Sequence, residues 1–213
     1  MKEMKKFNVL NLYACLGGNR YKWDEVAEEA GIDMQVTAVE LDPELAKLYK
    51  ERFPNDTVVV DDAHQYLLDN HKHFDFIWSS PPCQSHSRTN YFTQHIRKVQ
   101  VFPDMNLYEE IIFLQHFSNC KYVVENVIPY YEPLVPARKI GRHLFWSNFA
   151  LPYIKTKSDD IGTMMKEYVG TGKHAHDKSH AERQAVDSEI GAAIFETALG
   201  IIRKKDVKQT ELF

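Results

Sequence analysis

Residues 7–40 read FNVLNLYACLGGNRYKWDEVAEEAGIDMQVTAVE, and their reading decides the fold. Phe7 to Tyr13 is a short run dominated by apolar residues, as expected of a strand buried on both faces. A glycine-containing turn follows, then a helical pattern from Trp23 to Ala30 that stops at Gly31, then a second strand, Gln35 to Glu40. Strand, helix and strand within about 30 residues is a βαβ unit, which requires the two strands to run parallel. The same alternation continues outward. Pro43 to Phe53 reads as a helix with proline at its first position, Thr57 to Val60 as a strand, His64 to Asn70 as a short helix and Phe74 to Ser79 as a fourth strand. Leu107 to Phe117 and Lys121 to Glu125 add a helix and a fifth strand. The expectation is an α/β domain with a doubly wound, mostly parallel sheet.

Beyond residue 130 the pattern loosens. His143 to Trp146 reads as a strand, and residues 153–183 are polar, glycine-dotted and rich in Lys and His. Ile190 to Lys204 returns to helical apolar spacing, and DVKQTELF at the end reads as a mobile tail. This divides the chain into a core over 1–149, a loop or insertion over 150–183, a helix completing the core over 184–205 and a tail over 206–213.

With 213 residues, 44% apolar and 26% charged, the composition is that of one globular core. No apolar run reaches the roughly 20 residues of a membrane span, and the start lacks a signal-peptide core, so a soluble, cytoplasmic protein is expected. Cys15, Cys83 and Cys120 are too scattered for a disulfide framework or a metal clip, and no metal is expected. A net charge of -4 argues against a cationic coat for nucleic acid. The charge is unevenly spread, with 9 Lys+Arg against 15 Asp+Glu over residues 1–80 but 13 against 10 over 81–183.

In such a sheet, ligands sit outside the carboxyl ends of the strands. The turn after the first strand lacks the glycine spacing of a pyrophosphate cradle, which favours a cofactor without one. Glu40, ending the second strand, is placed to accept hydrogen bonds from ribose hydroxyls. After the fourth strand comes Ser79-Ser-Pro-Pro-Cys-Gln-Ser85, in which two prolines stiffen the turn and present Cys83 as a nucleophile. Val124-Glu-Asn-Val127 follows at the neighbouring strand end.

NLYACLGG, VELDP, VVDDA, PPCQS, LYEEI and VENV, in that order and spacing, resemble the successive motifs of the C5-cytosine DNA methyltransferases over about residues 7–149. The resemblance implies a Rossmann-like S-adenosylmethionine-dependent methyltransferase fold and methyl transfer to C5 of cytosine in DNA through a covalent Cys83–C6 intermediate. Glu125 would then bond to N3 and the exocyclic amine, Asn126 would hold that loop in shape, Arg142 would reach the cytosine O2, and Gln84 would belong to the catalytic loop. For the donor, it implies Tyr13, Ala14, Leu16, Gly17 and Gly18 on the methionine and ribose side, Glu40 on the ribose and Leu41 on the adenine face. Asp62 with Ala63 would meet the adenine amino edge, where Asp61 competes for the role; Pro82 and Leu107 complete the wall. Because C5 and C6 are inaccessible in a stacked base, the reaction implies base flipping. Residues 85–100, with Ser85, Arg88, Tyr91, Phe92 and Arg97, are the candidate lid over the substrate.

The sequence also departs from the family. Asn11 stands where an acid is usual, Cys15 where a glycine is usual, and Arg138 and Ile140 occupy positions of a Gln-x-Arg-x-Arg run of which Arg142 remains. The closing family motif has only a loose counterpart in Val186 to Gly191. The target-recognition region is reduced to residues 150–183, where Lys155, Lys157, Lys166, Lys173, Lys178 and Arg183 are candidate phosphate contacts. His174, His176 and His180 have no cysteine or carboxylate in register to make a zinc site. The final Gln209-Thr-Glu-Leu-Phe213 resembles peptides that dock on the bacterial sliding clamp, through Gln209, Leu212 and Phe213. A bacterial or phage-encoded enzyme, such as the modification half of a restriction system, is the expected setting. Two other functions stay open on the sequence: the same chemistry on tRNA, and a non-catalytic donor-binding or DNA-binding module.

Overall fold

The computed structural model describes residues 5–97, 100–154 and 186–201. The candidate phosphate contacts from Lys155 to Arg183, the three histidines among them and the residues Gln209, Leu212 and Phe213 lie outside the described residues, as does the side chain of Arg97. Strands β1 (Lys5–Leu12), β2 (Ile32–Val39), β3 (Thr57–Val59), β4 (Phe76–Ser79), β5 (Lys121–Val127), β6 (Arg138–Ile140) and β7 (His143–Ser147) form one sheet in the order β3-β2-β1-β4-β5-β7-β6. The first five are mutually parallel, and β7 runs antiparallel to both of its neighbours. Helices α1 (Trp23–Ala30), α2 (Pro43–Arg52), α3 (Ala63–Asn70), α4 (Arg88–Arg97), α5 (Asn106–Phe117) and α6 (Ser188–Leu199) connect and cover it.

Both faces of the sheet are buried, which is why its strands read as apolar runs without alternation. On one face Val9, Phe76, Trp78, Val123 and Phe145 pack with Trp23 and Val26 of α1 and with Ile190, Ile194 and Phe195 of α6. On the other, Leu10, Leu12, Ile77, Val124 and Trp146 pack with Leu67 of α3 and Ile111 and Leu114 of α5. Three helices begin on aspartates that cap their free N–H groups, Asp42 for α2, Asp62 for α3 and Asp187 for α6.

Several boundaries differ from the sequence expectation. The second strand begins three residues early, at Ile32, because it pairs with β1 from Lys5 onward. The fifth extends to Val127 because β7 pairs with its last five residues. The final helix stops at Leu199 rather than Lys204, since Gly200 takes the left-handed conformation that ends a helix. Residues 88–97, expected within a lid loop, are helical, and β6 was not anticipated.

Candidate active site

The strand order reverses at β1, between β2 on one side and β4 on the other, and the loops after these strands open a crevice at their carboxyl ends. Along its rim follow residues 13–18 after β1, 40–42 after β2, 60–62 after β3, 80–87 after β4, the end of β5 and the two-residue turn Gly141–Arg142. That turn belongs here because β7 is antiparallel. Its amino end, with Arg142 and His143, lies beside the carboxyl end of β5.

The loop after β1 is held by its backbone rather than by glycines alone. Tyr13 and Cys15 both take positive φ, 55° and 46°, conformations that cost a non-glycine residue energy and cluster at working sites. Glu40 makes this possible. One carboxylate oxygen accepts from the Cys15 N–H at 2.8 Å and the other from the Asp42 N–H at 3.0 Å, tying two rim loops together. Gly17, also at positive φ, is fixed by packing: a Cβ there would stand 2.3 Å from the Phe53 ring.

Of the candidate donor residues, Ala14, Leu16, Ala63 and Leu107 are buried, and Gly17 packs against the Tyr49 and Phe53 rings at the end of α2. Leu41, by contrast, is 66% exposed beside Glu40. Pro82, Asp61 and Asp62 are exposed, and the Asp62 carboxylate caps α3 by accepting from the Gln65 N–H at 2.8 Å. In the place of the expected charge, Asn11 is fully buried and accepts from the Asn19 side chain at 2.9 Å.

A residue that sequence reasoning passed over organises this crevice from beneath. Glu110 of α5 is fully buried, accepts from the Tyr13 hydroxyl and the Ser79 hydroxyl, each at 2.6 Å, and meets His64 Nδ1 at 3.1 Å. These contacts join the ends of β1 and β4, α3 and α5 on one carboxylate. The hydrogen bond to Glu110 raises the His64 pKa above its ordinary value, and burial raises that of Tyr13. The signal was present in LYEEI, whose second glutamate falls on the helix face shared with the apolar Leu107, Ile111 and Leu114.

Cys83 and Glu125 come from adjacent strand ends, since β4 and β5 pair with Ser79 opposite Val124. Burial, and then the nearby Glu125 charge, push the Cys83 thiol up to about 11. Burial likewise raises the Glu125 carboxyl to about 7, against a smaller lowering from a hydrogen bond with Ser80. Around neutrality the thiol is therefore protonated while the carboxyl is near its midpoint. Asn126 fastens the loop: its amide donates to the Pro81 carbonyl at 3.0 Å, while its side-chain oxygen accepts from the Val127 N–H at 2.9 Å. His143, also overlooked, stands with Nε2 at 3.6 Å from Glu125 Oε1. Arg142, one residue before it, is exposed in the turn.

The segment after Cys83 is anchored at its base. Ser87 bridges Pro129, Arg88 Nε donates to the Pro129 carbonyl at 3.0 Å, and Tyr91 stacks on Tyr130 at 4.2 Å between ring centroids. Ser85 Oγ accepts from the Asp104 N–H at 3.0 Å, and the exposed Gln84 takes part through its carbonyl, which accepts from Asn90 at 2.7 Å. Farther along α4, Phe92 and Ile96 are 70% and 82% exposed.

Residues 7–127 match the family model for C-5 cytosine-specific DNA methylase. The chain belongs to the C-5 cytosine-specific DNA methylase family. Its methyl donor is accordingly S-adenosylmethionine, and the crevice fits it, with an acid at the end of β2, an exposed leucine beside it and no glycine-rich phosphate cradle. No curated protein matches the chain. Among solved structures it is similar to Spodoptera frugiperda DNMT2, at 23% identity and TM-score 0.37, over 59% of this chain and 36% of that one. It is also similar to NSun6 from Pyrococcus horikoshii with SFG, at 16% identity and TM-score 0.41, over 59% and 34% of the two chains. Among the described residues there is no group of three or more side chains able to hold a metal, and no helix is long and apolar enough to cross a membrane.

Proposed function

We propose that this chain methylates C5 of cytosine in DNA by covalent catalysis from Cys83, on a base turned out of the duplex. The observation that carries the reading is the pairing of a half-buried thiol with a buried carboxyl whose pKa lies near 7, on adjacent strand ends. Cytosine C5 is a weak nucleophile. Addition of the Cys83 sulfur to C6 forms a C–S bond and sends an electron pair toward C5, while the Glu125 proton passes to N3 and neutralises the charge that builds on the ring. When bound, S-adenosylmethionine supplies an electrophilic methyl group for C5. Loss of the C5 proton to solvent then expels the Cys83 sulfur as its thiolate, and the N3 proton returns to Glu125. Arg142 completes the cytosine clamp at O2, Asn126 holds the Cys83 loop to β5, and Gln84, Ser85, Arg88 and Arg97 belong to the segment that closes over DNA. Glu40 and Leu41 hold the donor's ribose and adenine, Asp62 its amino edge, and residues 13–18 its methionine side.

The experiment is transfer of labelled methyl from S-adenosylmethionine to unmethylated DNA, with tRNA alongside, for the wild type and Cys83→Ser. Labelled C5-methylcytosine in DNA, absent with Cys83→Ser, is the expected result. Transfer to tRNA alone would move the reading to an RNA substrate, and donor binding without transfer to either would leave a non-catalytic module.

A further inference from the structure

On the sheet, Glu125 and His143 project from one face of an antiparallel pair. Glu125 is opposite Phe145 and Val127 opposite His143, so Glu125 and His143 are diagonal neighbours across the strands. Their side chains are 9% and 13% exposed, and Nε2 lies 3.6 Å from Oε1. The imidazole ring is backed edge-on by the Phe145 ring at 6.4 Å between centroids. That separation is longer than a formed hydrogen bond, and the contact becomes an ion pair when the imidazole is protonated. Resting on the cytosine-methylating reading of the site, we propose that His143 is a positioning residue for Glu125, its imidazole and the carboxyl sharing one proton at the cytosine N3 edge.

With the target base in place, Glu125 is enclosed by the cytosine, the Cys83 loop and β7. A carboxyl that must give a proton to N3 and recover it needs a neighbour that tolerates both charge states, and a histidine does so near neutrality. In the free site the one proton sits on the carboxyl, with the imidazole neutral, or on the imidazole, whose charge then steadies the carboxylate. Once the carboxyl proton has passed to N3, uptake of a proton from solvent by the imidazole steadies the anion until N3 returns its own. Among the described residues, the neighbouring charged or titratable groups include Cys83 from the loop after β4 and Arg142, the residue before His143 in the adjoining turn. Arg138, on the same sheet face of β6, is engaged with the Leu151 carbonyl at 2.6 Å, and Lys139 projects from the opposite face.

Two measurements test this. The first is the imidazole titration of His143 followed by NMR in the free protein, wild type against Glu125→Gln. Loss of the carboxylate lowers the His143 pKa by about one unit; an unchanged titration overturns the proposal even if the protein methylates nothing. The second is the pH dependence of kcat/KM for methyl transfer in His143→Lys and His143→Gln. A permanent cation moves the break assigned to Glu125 down by about one unit, whereas the neutral glutamine does not move it down. Transfer by the wild type with the same break in both variants would discard the role of His143 while leaving the methylation reading intact.

Discussion

Glu125 and Cys83 set opposite demands on pH. In the proposed reaction the addition step needs a thiolate and a protonated carboxyl together, yet the carboxyl ionises near 7 and the thiol near 11. Below about 7 the carboxyl is protonated and the rate follows the thiolate, so kcat/KM rises about tenfold per pH unit. Above 7 each gain in thiolate is matched by a loss of protonated Glu125, and the profile flattens. A steady-state series between pH 5.5 and 9.5 checks this, and a curve that falls from pH 7 upward would contradict the assignment. Stability carries the same signature. Because burial raises the folded-state pKa of Glu125 above its ordinary 4.5, its contribution is fully present below that value and is lost as pH rises through about 7. Glu125→Gln, which stays neutral, should therefore gain stability relative to wild type at pH 8 compared with pH 5, read from paired thermal melts.

At the level of elements, the turn after β1 shows how strain and packing are divided. Cys15 occupies positive φ without need of its side chain, and Cys15→Gly relieves about 1 kcal/mol of strain while adding a similar unfolded-chain entropy. Its melting should lie close to wild type. Gly17→Ala meets both a positive φ and the Phe53 and Tyr49 rings, so it should destabilise by about 3 kcal/mol and weaken donor binding. Calorimetry of both variants with S-adenosylmethionine separates them; equal losses would refute the division. The sequence conveyed the parallel strands because burial on both faces left apolar runs in Val9–Leu12 and Val123–Val124, and the motif order put Cys83 and Glu125 together. It concealed α4 because Tyr91, Phe92 and Ile96 face outward, leaving no core-facing period to read. It concealed β6 because three residues, Arg-Lys-Ile, carry no strand signal apart from the hairpin they form with β7. Glu110 and His143 were missed because their importance lies in partners distant in sequence, Tyr13 at a separation of 97 residues in the first case and Glu125 across a strand pair in the second.

Across the whole molecule, one sheet carries two cores, and neighbouring residues of each central strand serve opposite faces. Phe76 and Trp78 pack under α1 and α6, while Ile77 between them packs under α5. Phe195 stands at the centre of the first core, fully buried, stacked on Trp23 at 5.1 Å and tilted against Phe76 at 5.4 Å between centroids. The α6 helix that carries it lies so close to the loop before α1 that a Cβ on Gly191 would stand 2.1 Å from the Asn19 carbonyl oxygen, and the Trp23 indole donates to the Gly191 carbonyl at 3.2 Å. Phe195→Ala leaves a cavity that this fixed backbone cannot collapse to fill. The expected loss is about 4 kcal/mol, or about 10 °C in Tm. Because the strands cannot lose one face and keep the other, amide exchange should accelerate equally at Ile111 and Leu114 of α5, across the sheet, and at Ile194 of α6. Acceleration confined to α6 would mean instead that this helix opens on its own, leaving the strand ends of β4 and β5 beside Cys83 and Glu125 folded.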